Sequence, residues 1–413
     1  MTISVAKPTG LAPPSRANWG AVYALTLCVS TLVASEFMPV SLLTPIARDL
    51  SLTEGQAGQA IAVSGVFAVI ASLLVSSATY RLDRRVLLLW LTVLMLVSGI
   101  VVAIAPNFTV LMLGRALVGI VIGGFWSLSA AVAMRLVPDA DVPRALAVFN
   151  GGNALATTVA APLGSFLGQY IGWRGAFFCV VPLAALTFVW LLVSLPSMAS
   201  QGRPRLGAPF AVLRRPNVPY GIAAVALFFM AQFGVFTYLR PFLEGVTRVG
   251  GSELSILLLV LGLAGLLGTY LIGRVVNARL HALLVGLPLA MAAIAVALTA
   301  FGASVACAGL LLALWGLVGT AAPVAWWTWL ARTVPDDAEA GGGVMVAVVQ
   351  MAITAGAAGG GLIFDAGGYE PTFTTSGILF CLSASVALLG ARAAAKRTPA
   401  ADNPEPSMEA SHA

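Results

Sequence analysis

Glu36 stands near the middle of an apolar stretch, residues 22–45, that contains no other charged side chain. A carboxylate at that depth costs about 2.5–3.5 kcal/mol on insertion scales unless it finds a partner, a water-filled cavity or a proton. Arg115 is the one basic residue that falls inside an apolar run, eight positions beyond Asn107. At 1.5 Å per residue it lies ~12 Å from the same surface that Glu36, nine positions before Pro45, approaches to ~13 Å. Two opposite charges at similar depth allow two chemistries. One is a static ion pair that orders the surrounding helices. The other is an exchangeable proton: hydrocarbon favours the neutral acid and a nearby guanidinium the carboxylate, so movement between them loads and unloads the group.

The uncharged polar side chains are candidates for binding. Asn150, Asn153, Gln232 and Gln350 are amides in apolar runs. Such groups often join helices, but they also offer donors and acceptors to a polar ligand. Gln232 and Gln350 rank ahead of Asn150 and Asn153. Trp126 and Trp326 are either packing residues or a stacking surface for a planar ring. Trp327 and Trp329 face other directions on the same helix. Asp365 reads as a solvated cap, and Asp139, Asp141, Asp336, Asp337 and Glu339 as loop charges or gate contacts. The four cysteines are isolated in sequence, and the histidines are only His281 and His412. Neither a metal site nor histidine-based catalysis is indicated. No Gly-x-x-x-x-Gly-Lys-Ser/Thr signature occurs, which argues against ATP as the energy source.

These residues must be positioned by membrane-spanning helices. The chain has 413 residues, of which 59% are hydrophobic and 9% charged, with mean hydropathy +0.97. A soluble domain carries about 25% charged residues. The apolar runs are long enough for helices to cross a bilayer. The first run is too long for a signal peptide and lacks a cleavage site. Twelve spans are predicted, near 20–45, 55–79, 85–105, 108–135, 144–170, 174–195, 217–243, 252–274, 281–301, 304–331, 341–365 and 371–392. A tail at 1–19, a first bundle at 20–195, a loop at 196–216, a second bundle at 217–392 and a disordered tail at 393–413 complete the organisation. With the N-terminus inside, 17 of the 22 Lys and Arg lie on the cytoplasmic side. This positive-inside bias accounts for the basic pI without nucleic acid.

The halves repeat. Leu117-Val118-Gly119 returns as Leu317-Val318-Gly319, and Trp126 as Trp326. Val137-Pro138-Asp139 returns as Val334-Pro335-Asp336, and Gly172-Trp173…Phe177 as Gly368-Tyr369…Phe373. Two six-span halves related by an axis along the membrane normal suit a transporter that rocks around a central site.

Several motifs carry a resemblance. Gly114-Arg115…Gly119…Gly123-Gly124 and Ala161-Pro162-Leu163-Gly164 resemble signatures of the major facilitator superfamily, in its drug:proton antiporter branch. Asp83-Arg84-Arg85 resembles the family's loop gate, with Thr79 in place of its first glycine. Asn18-Trp19, Glu36 to Pro45, Met134 to Pro138, Gln232 to Pro241, Trp327-Thr328-Trp329 and Val346 to Gln350 are similar to bacterial purine ribonucleoside efflux pumps. The resemblance implies an all-α membrane protein of two pseudo-symmetric six-helix bundles in the bacterial inner membrane, both termini cytoplasmic. It implies proton-coupled export of purine ribonucleosides such as inosine, with Glu36 and Arg115 coupling protons and no cofactor. Export of sugars or amphiphilic drugs is the alternative. A membrane enzyme would need clustered His, Cys or carboxylates at one depth, and a receptor a large appended domain.

Overall fold

Hydrocarbon leaves a backbone no partner but itself, so each apolar run closes its hydrogen bonds as a helix. The computed structural model describes residues 17–79, 81–199, 212–334 and 338–395. Most of the predicted tails and inter-bundle loop lie outside the described residues, with Lys7, Arg16, Arg203, Arg205, Asp336, Asp337, Lys396, Arg397 and His412.

Among the described residues, ten helical stretches are long and apolar enough to cross a membrane. Two of them run for 51 residues, ~76 Å of helix against a hydrocarbon core of about 30 Å. Each breaks midway, at Gly172 (φ 70°, ψ 169°) and at Arg279 (φ −128°, ψ 29°). Each therefore crosses twice, and twelve crossings result, as the sequence predicts. Span 1 is Trp19–Asp49, span 2 Glu54–Ala78, span 3 Arg84–Ala103, and span 4 Phe108–Trp126 followed by Ser129–Arg135. Spans 5 and 6 occupy Val142–Phe178 and Val180–Ser194, turning at Gly172. Span 7 is Val218–Thr237, and spans 8 and 9 share Gly251–Phe301, turning at Arg279. Span 10 is Val305–Gly319 with Ala321–Thr333, span 11 Ala338–Gly367 and span 12 Tyr369–Ala395.

Span 1 continues past Pro45 to Asp49, four residues beyond its expected end. Glu36 is consequently ~20 Å from that end rather than ~13 Å.

The repeat has a backbone cause. Gly172 and Gly368 open the last hairpin of each half, and both have positive φ, 70° and 77°. The Gly-aromatic repeat marks a corner that an L-residue resists.

Two apolar cores form. One is built from spans 1 to 6 (Leu25, Ala68, Leu91, Phe125, Phe149, Leu191), the other from spans 7 to 12 (Phe228, Leu258, Trp315, Phe380). A smaller cluster of Val40, Ile61, Phe233, Ile353 and Ala357 joins them. Span 2 lies against span 11 because Gly65 lacks a side chain: a Cβ there would stand 2.0 Å from Thr354 Oγ1.

The twelve crossings place residues 19 and 395 on one face, here called the basic face because Arg81, Arg84, Arg85, Arg135, Arg274, Arg279 and Arg332 lie toward it. Contacts between the halves are one-sided. On the opposite face Thr53 Oγ1 and the Gly55 amide donate to Asp365 (2.6 and 2.9 Å), and Ser252 meets Gln169 at 3.4 Å. At mid-depth Thr158 Oγ1 donates to the Gly262 carbonyl at 3.4 Å. These hydrogen bonds between the halves, with Arg240 to Ser41 and Gln350 to Glu36, lie between mid-depth and the opposite face. The molecule is closed on that face.

Gly172 has open space where a Cβ would stand, so a substitution there tests the backbone alone. Gly172→Ala is expected to destabilise the protein by about 1–3 kcal/mol, the cost of holding an L-residue in a glycine-only region. Thermal unfolding in detergent measures it.

Candidate functional site

The site begins with two prolines inside span 1. A proline within a helix has no N–H for the carbonyl four residues earlier. Pro39 frees the Ser35 carbonyl, and Pro45 frees that of Ser41. Both are buried, where an unpaired carbonyl is costly. Each is taken by an arginine. Arg115 Nη1 donates to Ser35 O at 2.8 Å, and Arg240 Nη1, from the second half, donates to Ser41 O.

Arg115 is 1% exposed and spends its remaining donors nearby. Nε donates to Ala60 O at 2.9 Å, and Nη2 to Ser64 Oγ at 3.1 Å and to the Glu36 carbonyl at 3.3 Å. A planar fork with several fixed donors suits this task; a lysine does not. Gly114 admits the span, since a Cβ there would meet Val102 at 2.5 Å. Arg115 thus fastens spans 1, 2 and 4 together at the level of Glu36.

The Glu36 carboxylate is not part of that knot. The ion pair anticipated from matching depths does not form, because the guanidinium is occupied by oxygens of the backbone and Ser64. Arg115 bonds the main chain of Glu36 instead of its side chain. The carboxylate turns to the second half, where Gln350 Nε2 donates to Glu36 Oε1 at 3.4 Å. Both residues are buried, 8% and 6% exposed. They line a cavity of about 10 Å³ with Phe37, Val40, Ile61, Ser64, Gly65, Phe233 and Ile353. It has room for a single water at most. Phe37 stacks on Phe233 with centroids 6.0 Å apart and meets Phe236 edge-on at 6.4 Å. The Gln350 side-chain oxygen, Oε1, is buried without a partner.

The other expected residues are spread out. Trp126 is half-buried, edge-on to Phe149 at 6.1 Å, with Asn150 exposed and Asn153 half-buried on span 5. Gln232 is half-buried on span 7, its Oε1 buried and unpaired and its Nε2 beside Gly319 of span 10. Trp326 is 2% exposed. It is turned into its own half against Trp329, centroids 6.1 Å apart. There it lines a cavity of about 230 Å³ toward the basic face, with His281 and Arg332.

Asp83, Arg84 and Arg85 clamp the end of span 6 within the first half. Asp83 caps span 3 through the Arg85 amide (2.7 Å) and accepts from the Ser197 hydroxyl and the Met198 amide (3.0 and 2.9 Å to its two oxygens). The Arg84 amide donates to Met198 O at 2.9 Å, and Arg85 Nη2 to Leu192 O at 2.7 Å. Partial burial opposes ionisation of Asp83, but Ser197, the two amides and the Arg85 charge outweigh it and hold its carboxyl below the ordinary range.

Sequence reasoning missed Arg240. It is 9% exposed and also bonds Glu244 at 2.8 Å. The available signal was Pro45: a proline in a buried helix announces a carbonyl four residues back that needs a donor. Asp365 is a cap, as expected, but of span 2 in the other half.

A family model described as Major Facilitator Superfamily matches residues 24–357. The transcription regulatory protein OpdE of Pseudomonas aeruginosa is 57% identical over 387 residues, covering 93% of this chain and 96% of that protein. The purine ribonucleoside efflux pump NepI of Escherichia coli is 39% identical over 384 residues, covering 93% and 97%. The crystal structure of a bacterial homolog to the human lysosomal transporter Spinster, inward-facing and unoccupied, matches with TM-score 0.76 at 17% identity. That match covers 92% of this chain and 98% of that one.

Two predictions follow from the geometry. Arg115→Leu is expected to cost less in a Pro39→Ala background, where the restored amide bonds Ser35 O. A coupling of about 1–3 kcal/mol in a thermal-unfolding double-mutant cycle is expected, the cost of one orphaned buried acceptor. Asp83 ionises more readily folded than unfolded, so its contribution is present above its unfolded value and is lost as pH falls through the lowered folded one. Mild acid should leave the Met198 amide protected from exchange, whereas Asp83→Ala should expose it at neutral pH.

Proposed function

Since the chain belongs to the major facilitator superfamily, we propose that it exports purine ribonucleosides across the bacterial inner membrane in exchange for protons. Fold and relatives are those of transporters rather than enzymes. The observation that carries the coupling is the Glu36 carboxylate, buried at mid-depth and held by Gln350 of the other half instead of by a charge. A carboxylate so placed is a natural proton carrier. The basic face is cytoplasmic on the positive-inside rule. Closure of the opposite face then leaves the molecule facing inward, ready for cytoplasmic substrate.

NepI supports the substrate class through its name and its 39% identity across both chains. The water-sized cavity at Glu36 is too small for a nucleoside, so substrate binds nearer the basic face. Trp126, Gln232, Asn150 and Asn153 supply one stacking surface and several amides for a base and a ribose. A membrane potential adds about 2.3 kcal/mol per proton per 100 mV to drive the cycle.

A second reading is favoured by OpdE, which is more similar and is named a regulator of transcription. The two meet if export sets the cytoplasmic level of an effector. Deleting the gene would then alter transcript levels, and an uptake-defective variant would fail to restore them.

Uptake into inside-out vesicles with an imposed proton gradient tests the main reading. Inosine should accumulate, and Glu36→Gln should abolish gradient-driven uptake. Accumulation of sugars or amphiphilic drugs without nucleosides would refute the substrate class. Undiminished uptake by Glu36→Gln would refute the proton role.

A further inference from the structure

Gln350 presents its amide to Glu36 with one end satisfied and the other not. Its Nε2 donates to Glu36 Oε1 at 3.4 Å, and its Oε1 is buried and unpaired. An ionised carboxylate has acceptors only. It can satisfy the amide N–H but must leave the amide oxygen orphaned, facing a negative group. A protonated carboxyl has one O–H donor beside its remaining acceptor. It can accept from Nε2 and donate to Oε1 at once, as a cyclic acid–amide pair.

The surroundings let this difference decide a conformation. The partners come from different halves, span 1 and span 11, in a cavity that holds one water at most. Of the groups that face Glu36, span 2 contributes Ser64 and Gly65, span 7 Phe233, and span 11 Gln350 and Ile353. The charged neighbour is Arg115 of span 4, whose donors are committed to carbonyls and Ser64. No other described group supplies the missing donor.

Resting on the reading that Glu36 carries the coupled proton, we propose that Gln350 is the positioning residue that converts the proton into closure. Protonated Glu36 completes the acid–amide pair and holds spans 1 and 11 together, closing the opposite face. Loss of that proton to the basic side leaves the pair half-made and releases the halves. The direction suits exchange. A proton taken from the opposite side closes that side behind it. Its release on substrate binding lets the opposite face open with substrate aboard. The proton moves from water onto a Glu36 carboxylate oxygen and back to water, and no covalent bond to carbon changes.

The test is a distance across the opposite face, measured by electron spin resonance on the full chain in nanodiscs. Labels at Ser51→Cys and Glu370→Cys report on loops of different halves, with Cys179, Cys307 and Cys381 replaced by alanine. In otherwise wild-type protein, acidification should raise the ratio of short to long distances by about fivefold or more, the gain from satisfying one buried acceptor. Gln350→Met, of similar shape but unable to pair, should lose that shift. Glu36→Gln, which places an N–H donor where the acid has its O–H, should stay closed at every pH. A wild-type shift that survives in Gln350→Met, or a pH response retained by Glu36→Gln, overturns the latch while leaving proton-driven uptake as its own question. A wild-type protein with no pH response overturns the latch and the proton role of Glu36 together.

Discussion

Two proline-freed carbonyls in span 1 constrain everything around them. A helix in hydrocarbon cannot leave C=O groups unpaired, so Ser35 and Ser41 require donors from outside the helix. Arg115 answers the first from within the same half, and its other donors bind span 2 to span 1. Arg240 answers the second from the other half. The same backbone defect is therefore used once to build a bundle and once to join two bundles. Glu36 lies between the two prolines' freed carbonyls, on the stretch that both arginines hold.

This arrangement separates what is rigid from what can change. Arg115 makes four hydrogen bonds inside one half and is expected to stay put while the halves rock. The contacts that join the halves lie to one side: Asp365 on the start of span 2, Gln169 with Ser252, Thr158 on Gly262, Arg240 on Ser41, and Gln350 on Glu36. Most are single hydrogen bonds with a net worth of about 0.5–1.5 kcal/mol each. Such a set can be exchanged for an alternative on the other face at modest cost, which is what alternating access requires.

Much of the fold was legible because hydrocarbon simplifies the problem. Helix number, the two-half repeat and the basic face follow from apolar run length, the Gly-aromatic corners and arginine placement. Glu36 and Arg115 were identifiable by their cost. Their partners were not, since depth along a helix says nothing about rotation around it. Arg115 and Glu36 share a level, yet the guanidinium points to carbonyls and the carboxylate to Gln350. The same holds for Trp326: a repeat preserves position along the helix but does not keep this ring from turning into its own core. Asp83 was read as a gate by resemblance, and its partners 114 and 115 residues away, Ser197 and Met198, follow a composition break with no periodicity to read. Arg240 could have been found by asking what the carbonyl before Pro45 bonds.

In the proposed cycle Glu36 gives up its proton when substrate binds. The most direct measurement is proton release on binding, followed with a pH indicator in weakly buffered detergent solution as inosine is added to purified protein. The wild type should release a proton into the medium and Glu36→Gln none. Binding of inosine by the wild type with no proton released, or equal release by Glu36→Gln, would contradict it.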